Sequence, residues 1–295
     1  MSARILYLDA AAGVSGDMFV GSLIDAGADP QVIRDHISCL GIDGLAVRVT
    51  RVQRSGLMGT KFDVIDPETG RNVDEPTAAS SGQGHHHGHH GHSHGHAHPH
   101  GPGDGHRHGH RHRPHRGLGE VRRIIRTSAL PTSVAEDAVA VFELLGRAEA
   151  KVHGVDADQV HFHEVGALDA IADIVAAASA FHQLGVDEAW CSPVHVGCGT
   201  VRCAHGVLPV PAPATAEILK GVPVYSDGVQ GELCTPTGAA LVRHFCTGFR
   251  AMPPMVVDSV GYGAGTKDFG IPNLLRATLG RVSGAQEPQR ATQAG

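Results

Sequence analysis

Aromatic side chains are scarce: one Trp, three Tyr and eight Phe in 295 residues, or 4%. A core drawn from the 41% hydrophobic content must therefore be built on Ala, Val, Leu and Ile. Basic residues are also few and are not interleaved with aromatics, which argues against a stacking groove for nucleic acid. Long uncharged apolar runs are missing. The opening MSARILYLDA holds only a short one, far below the roughly 20 residues that span a bilayer, so no membrane is expected. No signal-peptide pattern opens the chain, and a cytoplasmic location is expected. Cys39, Cys191, Cys198, Cys203, Cys234 and Cys246 then read as reduced thiols rather than a disulfide framework. Two phosphate-binding signatures are absent as well: the Gly-Lys-Ser/Thr ending of a P-loop and the GxGxxG spacing.

Histidine is what the chain has in excess. Fifteen of its 23 histidines lie in one run: His85, His86, His87, His89, His90, His92, His94, His96, His98, His100, His106, His108, His110, His112 and His115. Imidazole is a good ligand for nickel, zinc and copper, and small spacers let such a run fold around an ion in many geometries. Gly, Ser and Pro fill the gaps, so burial cannot offset the ordering entropy and the tract is expected to be disordered without metal. Affinity order alone would favour copper, so the tract indicates a transition metal without choosing one. The plain alternative is a solvated, weakly basic linker. Four Arg and one Asp give residues 85–116 a charge of +3, which leaves −9 on the rest of a chain whose net charge is −6 with neutral histidines. The tract gains further charge as pH falls.

Periodicity outlines the folded part. Ile5–Leu8 reads as a strand ending at Asp9, followed by a small-residue turn and a helix from Asp17 to Ala26. Pro30–Leu40 reads as a helix, and Leu45–Val52 alternates as a strand that Lys61–Ile65 should pair with. Beyond the insertion come helices over Leu118–Leu130, from Pro131 through His153, and over Val165–Leu184, the last Ala-rich and expected to be buried. Glu188–Val196 reads as a strand, Pro209–Lys220 as a helix, Val222–Tyr225 as a strand and Thr237–Phe245 as a helix. Met255–Val260 and Leu274–Val282 close the pattern as strands. The expected fold is α/β or α+β, a mixed sheet with flanking helices, interrupted by a disordered His-rich insertion at 66–116. Residues 1–282 form one domain in this reading, and 283–295 a disordered tail.

Several clusters could carry chemistry. His161 and His163 point the same way on an extended segment, Glu164 adjoins them at a helix start, and Asp169 and Asp173 share a helix face. That set suits metal or acid/base work, or simply caps and solvates the helix. His195, Cys198, Cys203 and His205 offer two imidazoles and two thiols in a spacing that matches no common zinc pattern, the alternative being small cysteines near a turn with His205 alone functional. Asp9, Ser15, Gly16 and Asp17 frame a strand–turn–helix loop whose N–H groups suit phosphate, although Ser15 is also a plausible N-cap and the two aspartates could hold a metal. Thr235 and Thr237 stand at another helix start, where capping or anion binding applies. Gly261 to Gly265, with Lys267, reads as a tight turn or as a loop that approaches an anionic ligand closely.

Longer strings then narrow the reading. ILYLDAAAGVSGDMFVGSLIDAGAD, HFHEVGALDAIADI, HGVLPVPAPATAEILKGVPVY, GELCTPTGAALV and VGYGAGTKDFGIPN follow one another along the chain. Together with the His-rich insertion they resemble the nickel insertion proteins of lactate racemase maturation, the LarC family, from Ile5 to about Arg281. The resemblance implies insertion of Ni²⁺ into pyridinium-3,5-bisthiocarboxylic acid mononucleotide, forming one carbon–nickel and two sulfur–nickel bonds of the nickel-pincer nucleotide cofactor. It implies a CTP-dependent cyclometallase of the lyase class, with the insert supplying or storing nickel. Full-length members of that family continue into a C-terminal domain that binds CTP with Mg²⁺ or Mn²⁺. That domain is expected to be missing here and to act as a partner, and a nickel-pincer cofactor-dependent enzyme is expected downstream. Within the matching motifs we assign catalysis to Asp9, Asp17, His163 and Glu164, substrate binding to Ser15, Gly16, Thr235 and Thr237, and metal to the tract with His161, His163 and His205. A non-enzymatic nickel store or metallochaperone is the alternative.

Overall fold

A computed structural model describes residues 3–72, 116–160, 162, 168–203 and 205–282. The first part runs β1 (Ala3–Asp9), α1 (Gly16–Asp25), α2 (Pro30–Ser38), β2 (Ala46–Arg54) and β3 (Leu57–Ile65). The second opens with α3 (Leu118–Thr127), α4 (Thr132–His153), a 3-10 turn at Ala157–Gln159, and α5 (Leu168–Leu184). Short strands follow: β4 (Glu188–Cys191), β5 (Val194–His195), β6 (Gly197–Cys198), β7 (Thr200–Cys203) and β8 (Gly206–Pro209). The described chain ends with α6 (Pro213–Ile218), β9 (Val224–Tyr225), β10 (Gly231–Glu232), α7 (Pro236–Phe245), β11 (Gly248–Phe249), β12 (Val256–Ala264) and β13 (Leu274–Val282).

The expected mixed sheet is present, with seven strands in the order β11-β4-β1-β13-β12-β3-β2. β1 runs parallel to β4 and antiparallel to β13, and β12 runs parallel to β3. Strands from both sides of the insertion thus share one sheet. β1 shows why one face is the core: alternate residues point to opposite faces. Leu6 and Leu8 enter the main core, whereas Ile5 and Tyr7 join Trp190 in a small cluster.

The helices pack on the core face. α5 lies against α1, α2, α4 and α7. Its alanines at 170, 172, 176, 177, 178 and 180 are buried, and their small size lets neighbouring helices approach from several sides. α1 lies directly on β12, an approach that depends on missing side chains. A Cβ at Gly261 would stand 2.2 Å from Ser22 O, and one at Gly263 would stand 1.8 Å from Met18 O.

That packing corrects the reading of Gly261 and Gly263 as a turn or ligand loop, whereas Gly265 and Lys267, just beyond β12, do line a cavity. β12 continues through Ala264, and Gly261 and Gly263 are the seat of α1. Three other boundaries differ. The expected strand over 188–196 breaks at Ser192-Pro193, after which β5 pairs with β9. The helix expected from Pro209 begins only at Pro213, because Pro209 and Pro211 lack the N–H groups that a helix interior needs. Residues 66–72, assigned above to the insertion, form a turn closed by Asp66 N–H to Arg71 O (2.9 Å).

Candidate functional site

Two chain segments, far apart in sequence, run side by side through a parallel bridge between Val14 and Cys234. Val14 N–H donates to Leu233 O (2.9 Å), and Thr235 N–H donates to Val14 O (3.1 Å). Gly13 permits this contact: its φ of +81° disfavours other residues, and a Cβ there would stand 2.1 Å from Leu233 O. The pairing brings the N-terminus of α1 (Ser15, Gly16, Asp17) beside that of α7 (Thr235, Pro236, Thr237). Thr235 caps α7 by accepting from Gly238 N–H (3.2 Å). Both helix starts line a cavity of about 360 Å³. Asp63, Asp169, Asp173 and Glu232 share its wall, with Lys267, Phe269 and Asn273 on the loop between β12 and β13.

The electrostatic centre of this wall is Lys61, a residue that sequence reasoning missed. It is 5% exposed, and its ammonium pairs with Asp17 and stands 3.3 Å from Asp63 Oδ1. Burial alone pulls the Lys61 pKa down. The charge and hydrogen bond of Asp17, followed by the charges of Asp63 and Asp173, outweigh burial and hold it above the ordinary lysine value. Asp17 is held from several sides: it accepts from the Ser15 hydroxyl, from Met18 N–H (2.8 Å) and from Thr266 Oγ1 (3.5 Å). Asn72 Nδ2 donates to Asp63 Oδ1 (2.8 Å). Asp173 lies so close to the α1 start that a Cβ on Gly16 would stand 2.2 Å from its Oδ2. Gly16 is therefore needed for the approach of that carboxylate. No signal in the sequence marked Lys61, because the burial and the two carboxylates that set its role come only from the fold.

A second cavity of about 400 Å³ adjoins the first and shares Glu232, Pro236 and Lys267 with it. His153, at the end of α4, lines it together with Glu149, Cys203 and His205. The first cavity is thus rich in oxygen donors, and the second offers nitrogen and sulfur.

Of the residues singled out from sequence, the first cavity gathers Ser15, Gly16, Asp17, Asp169, Asp173, Thr235, Thr237 and Lys267. Asp9 is not among its lining residues: at the end of β1 it pairs with Arg276 of β13. The grouping of His195, Cys198, Cys203 and His205 is not assembled. His195 is 1% exposed, hydrogen-bonds Ala11 O through Nδ1 (2.9 Å), stands 3.0 Å from Asp227 through Nε2 and stacks on Tyr225. The Cys198 thiol contacts Val229 O (3.3 Å). Only Cys203 and His205 of that set line the second cavity. All six cysteines are free. His161, His163, Glu164 and the tract His85–His115 lie outside the described residues. Among the described residues, no three His, Cys, Asp or Glu side chains are already grouped to hold a metal ion. Among them too, no helix is long and apolar enough to cross a membrane.

A family described as nickel insertion protein matches residues 6–294. A pyridinium-3,5-bisthiocarboxylic acid mononucleotide nickel insertion protein from Desulfitobacterium hafniense is 42% identical over 99% of this chain and 62% of its own length. Proteins of the same description from Geobacillus kaustophilus and a Thermotoga species are each 41% identical, over 94% and 98% of this chain and 60% and 63% of their own lengths. The chain thus spans about three fifths of the length of these relatives. No solved structure matches it.

Proposed function

The chain belongs to the nickel insertion protein family, and from that premise we propose that it carries the substrate- and metal-handling part of nickel insertion into pyridinium-3,5-bisthiocarboxylic acid mononucleotide. The observation that carries the proposal is the convergence of the α1 and α7 N-termini, Lys267 and a carboxylate wall on one cavity. The phosphate of the mononucleotide suits the α7 end, where the helix dipole, the Thr237 N–H and hydroxyl, and Lys267 offer positive charge and donors. The cationic pyridinium ring and Ni²⁺ suit the side lined by Asp17, Asp63, Asp169, Asp173 and Glu232, whose carboxylates outnumber the lysines. Asp17 is pre-positioned there by Lys61, Ser15 and Met18 N–H, so its orientation does not depend on the ligand.

Metallation replaces a ring C–H by C–Ni and leaves one proton to be removed, while the two thiocarboxylate sulfurs complete the pincer. A base is needed beside the ring. His163 and Glu164 are proposed for it, in the stretch that leads into α5, whose first two turns carry Asp169 and Asp173 to the cavity. His161 and the His85–His115 tract are proposed to deliver nickel. CTP, with Mg²⁺ or Mn²⁺, belongs in this proposal to a C-terminal part acting with this chain, in the cytoplasm, and a nickel-pincer cofactor-dependent enzyme would receive the product.

The test is product detection by mass spectrometry after incubating this chain with Ni²⁺, CTP, Mg²⁺ and the mononucleotide, with and without a separately made C-terminal part from a relative. Nickel-containing product in the combined mixture supports the proposal. Nickel bound by the chain but no product in either mixture would replace insertion with storage.

A further inference from the structure

The second cavity brings His153 and Glu149 to Cys203 and His205, the two residues of the sequence-predicted thiol–imidazole set that share a cavity. Cys203 and Gly206 pair at the end of the β7–β8 hairpin, which places His205 in the tight turn between them. This tip faces the C-terminal end of α4, where His153 occupies the last helical position before Gly154. The His153 and His205 ring centroids are 4.8 Å apart, and His153 Nε2 lies 3.4 Å from Glu149 Oε2. Two imidazoles bound to adjacent positions of one ion through bonds of about 2.1 Å have a centroid separation of roughly 5 Å. The negative end of the α4 dipole adds a field that favours a cation at this place.

We propose that Cys203, His205 and His153, with Glu149 beside them, form a binding site for one borderline divalent transition metal, distinct from the histidine tract. One thiolate and two imidazoles select nickel, cobalt or zinc over magnesium or calcium, which prefer oxygen. The donors line one cavity but are not grouped for an ion in this structure, so binding requires their side chains to converge on the metal. A site of this kind binds more weakly than a preformed four-ligand cage, as suits an ion that is to be passed on. Its wall is shared with the oxygen-lined cavity at Glu232, Pro236 and Lys267, so a metal held here stands next to the proposed substrate. The inference rests on the nickel-insertion reading only for the identity of the natural ion.

The test exploits the absence of cysteine from the tract. Titrating the full reduced chain with Co²⁺ or Ni²⁺, without mononucleotide or CTP, should produce a thiolate-to-metal charge-transfer absorption that saturates at one ion per chain. Tract histidines cannot generate this band. Cys203→Ser should abolish it, and His205→Ala and His153→Ala should each weaken the binding it reports at least ~10-fold. Cys198→Ser should leave it intact, and far-ultraviolet circular dichroism verifies that each variant is folded. No band in the folded wild-type chain, or a band retained in folded Cys203→Ser, overturns the proposal. Because no substrate is present, failure of the insertion reaction would not affect this result.

Discussion

Replacing Lys61 by methionine tests whether the buried ion pairs organise the cavity. The side chain of Lys61 is 6% exposed, those of Asp17 and Asp63 are 19% and 10%, and the substitution would leave two carboxylates facing each other without their cation. Removing one partner of a buried pair typically costs about 3–5 kcal/mol, mainly because the remaining charge stays desolvated. Asp17 retains some solvent contact and can partly rehydrate, so the lower end, about 3 kcal/mol, is expected at neutral pH. Urea unfolding followed by circular dichroism would measure it as a fall in midpoint at unchanged slope. Adding Asp17→Asn to Lys61→Met should recover part of the loss, with a coupling energy of about 1–3 kcal/mol. The pH dependence has a definite sign. A lysine held above its ordinary value of 10.5 contributes stability that is complete below that pH and is lost as pH rises through the folded-state value. The gap between wild type and Lys61→Met should therefore narrow in strong alkali. A loss below about 1 kcal/mol, or strict additivity of the two substitutions, would refute the assignment of Lys61 as the organiser of this wall.

Other perturbations have equally defined outcomes. Gly263→Ala places a methyl group 1.8 Å from Met18 O and should cost at least ~2 kcal/mol in urea unfolding, whereas Gly119→Ala, in open space on α3, should gain up to about 1 kcal/mol. Asp137 joins three helices by accepting from His182 Nε2 (2.7 Å) and His244 Nε2 (2.8 Å). Burial raises its pKa, but hydrogen bonds and charge from His244 and His182 prevail and lower it below 3.8. Its stabilisation is complete above that ordinary value and lost as pH falls through the folded one. Asp137→Asn should therefore lower stability by about 1–3 kcal/mol at neutral pH, with the difference vanishing in acid when melting temperatures are compared. Deleting residues 84–115 should remove most nickel ions bound per chain in equilibrium dialysis while leaving thermal unfolding of the apo chain unchanged. Unchanged nickel content would exclude the tract as a metal reservoir.

Local rules read much of this protein from its residues. The apolar alternation of β2, the helix over 132–153 after Pro131 and the buried Ala-rich α5 follow from periodicities of two and 3.6 that need no partner to be visible. The helix starts at Ser15–Asp17 and Thr235–Thr237 were equally legible, because helix-start preferences are chemistry of adjacent residues, although only Thr235 caps its helix and the Ser15 hydroxyl donates to Asp17 instead. What the sequence could not reveal depends on distance along the chain. The Val14–Leu233 pairing, which makes one cavity of two helix starts, joins residues more than two hundred positions apart. Gly261 and Gly263 looked like a loop because the helix they accommodate lies at the opposite end of the sequence. Lys61 looked like an ordinary strand residue until Asp17 and Asp63 closed around it, and Asp9 looked like part of the loop site until Arg276 claimed it. Sequence by itself thus determined which helices and main strands form and where along the chain the candidate metal ligands stand. Tertiary structure alone decided which of those groups share a cavity, because burial and Coulomb interactions act through space and only folding brings their partners within reach.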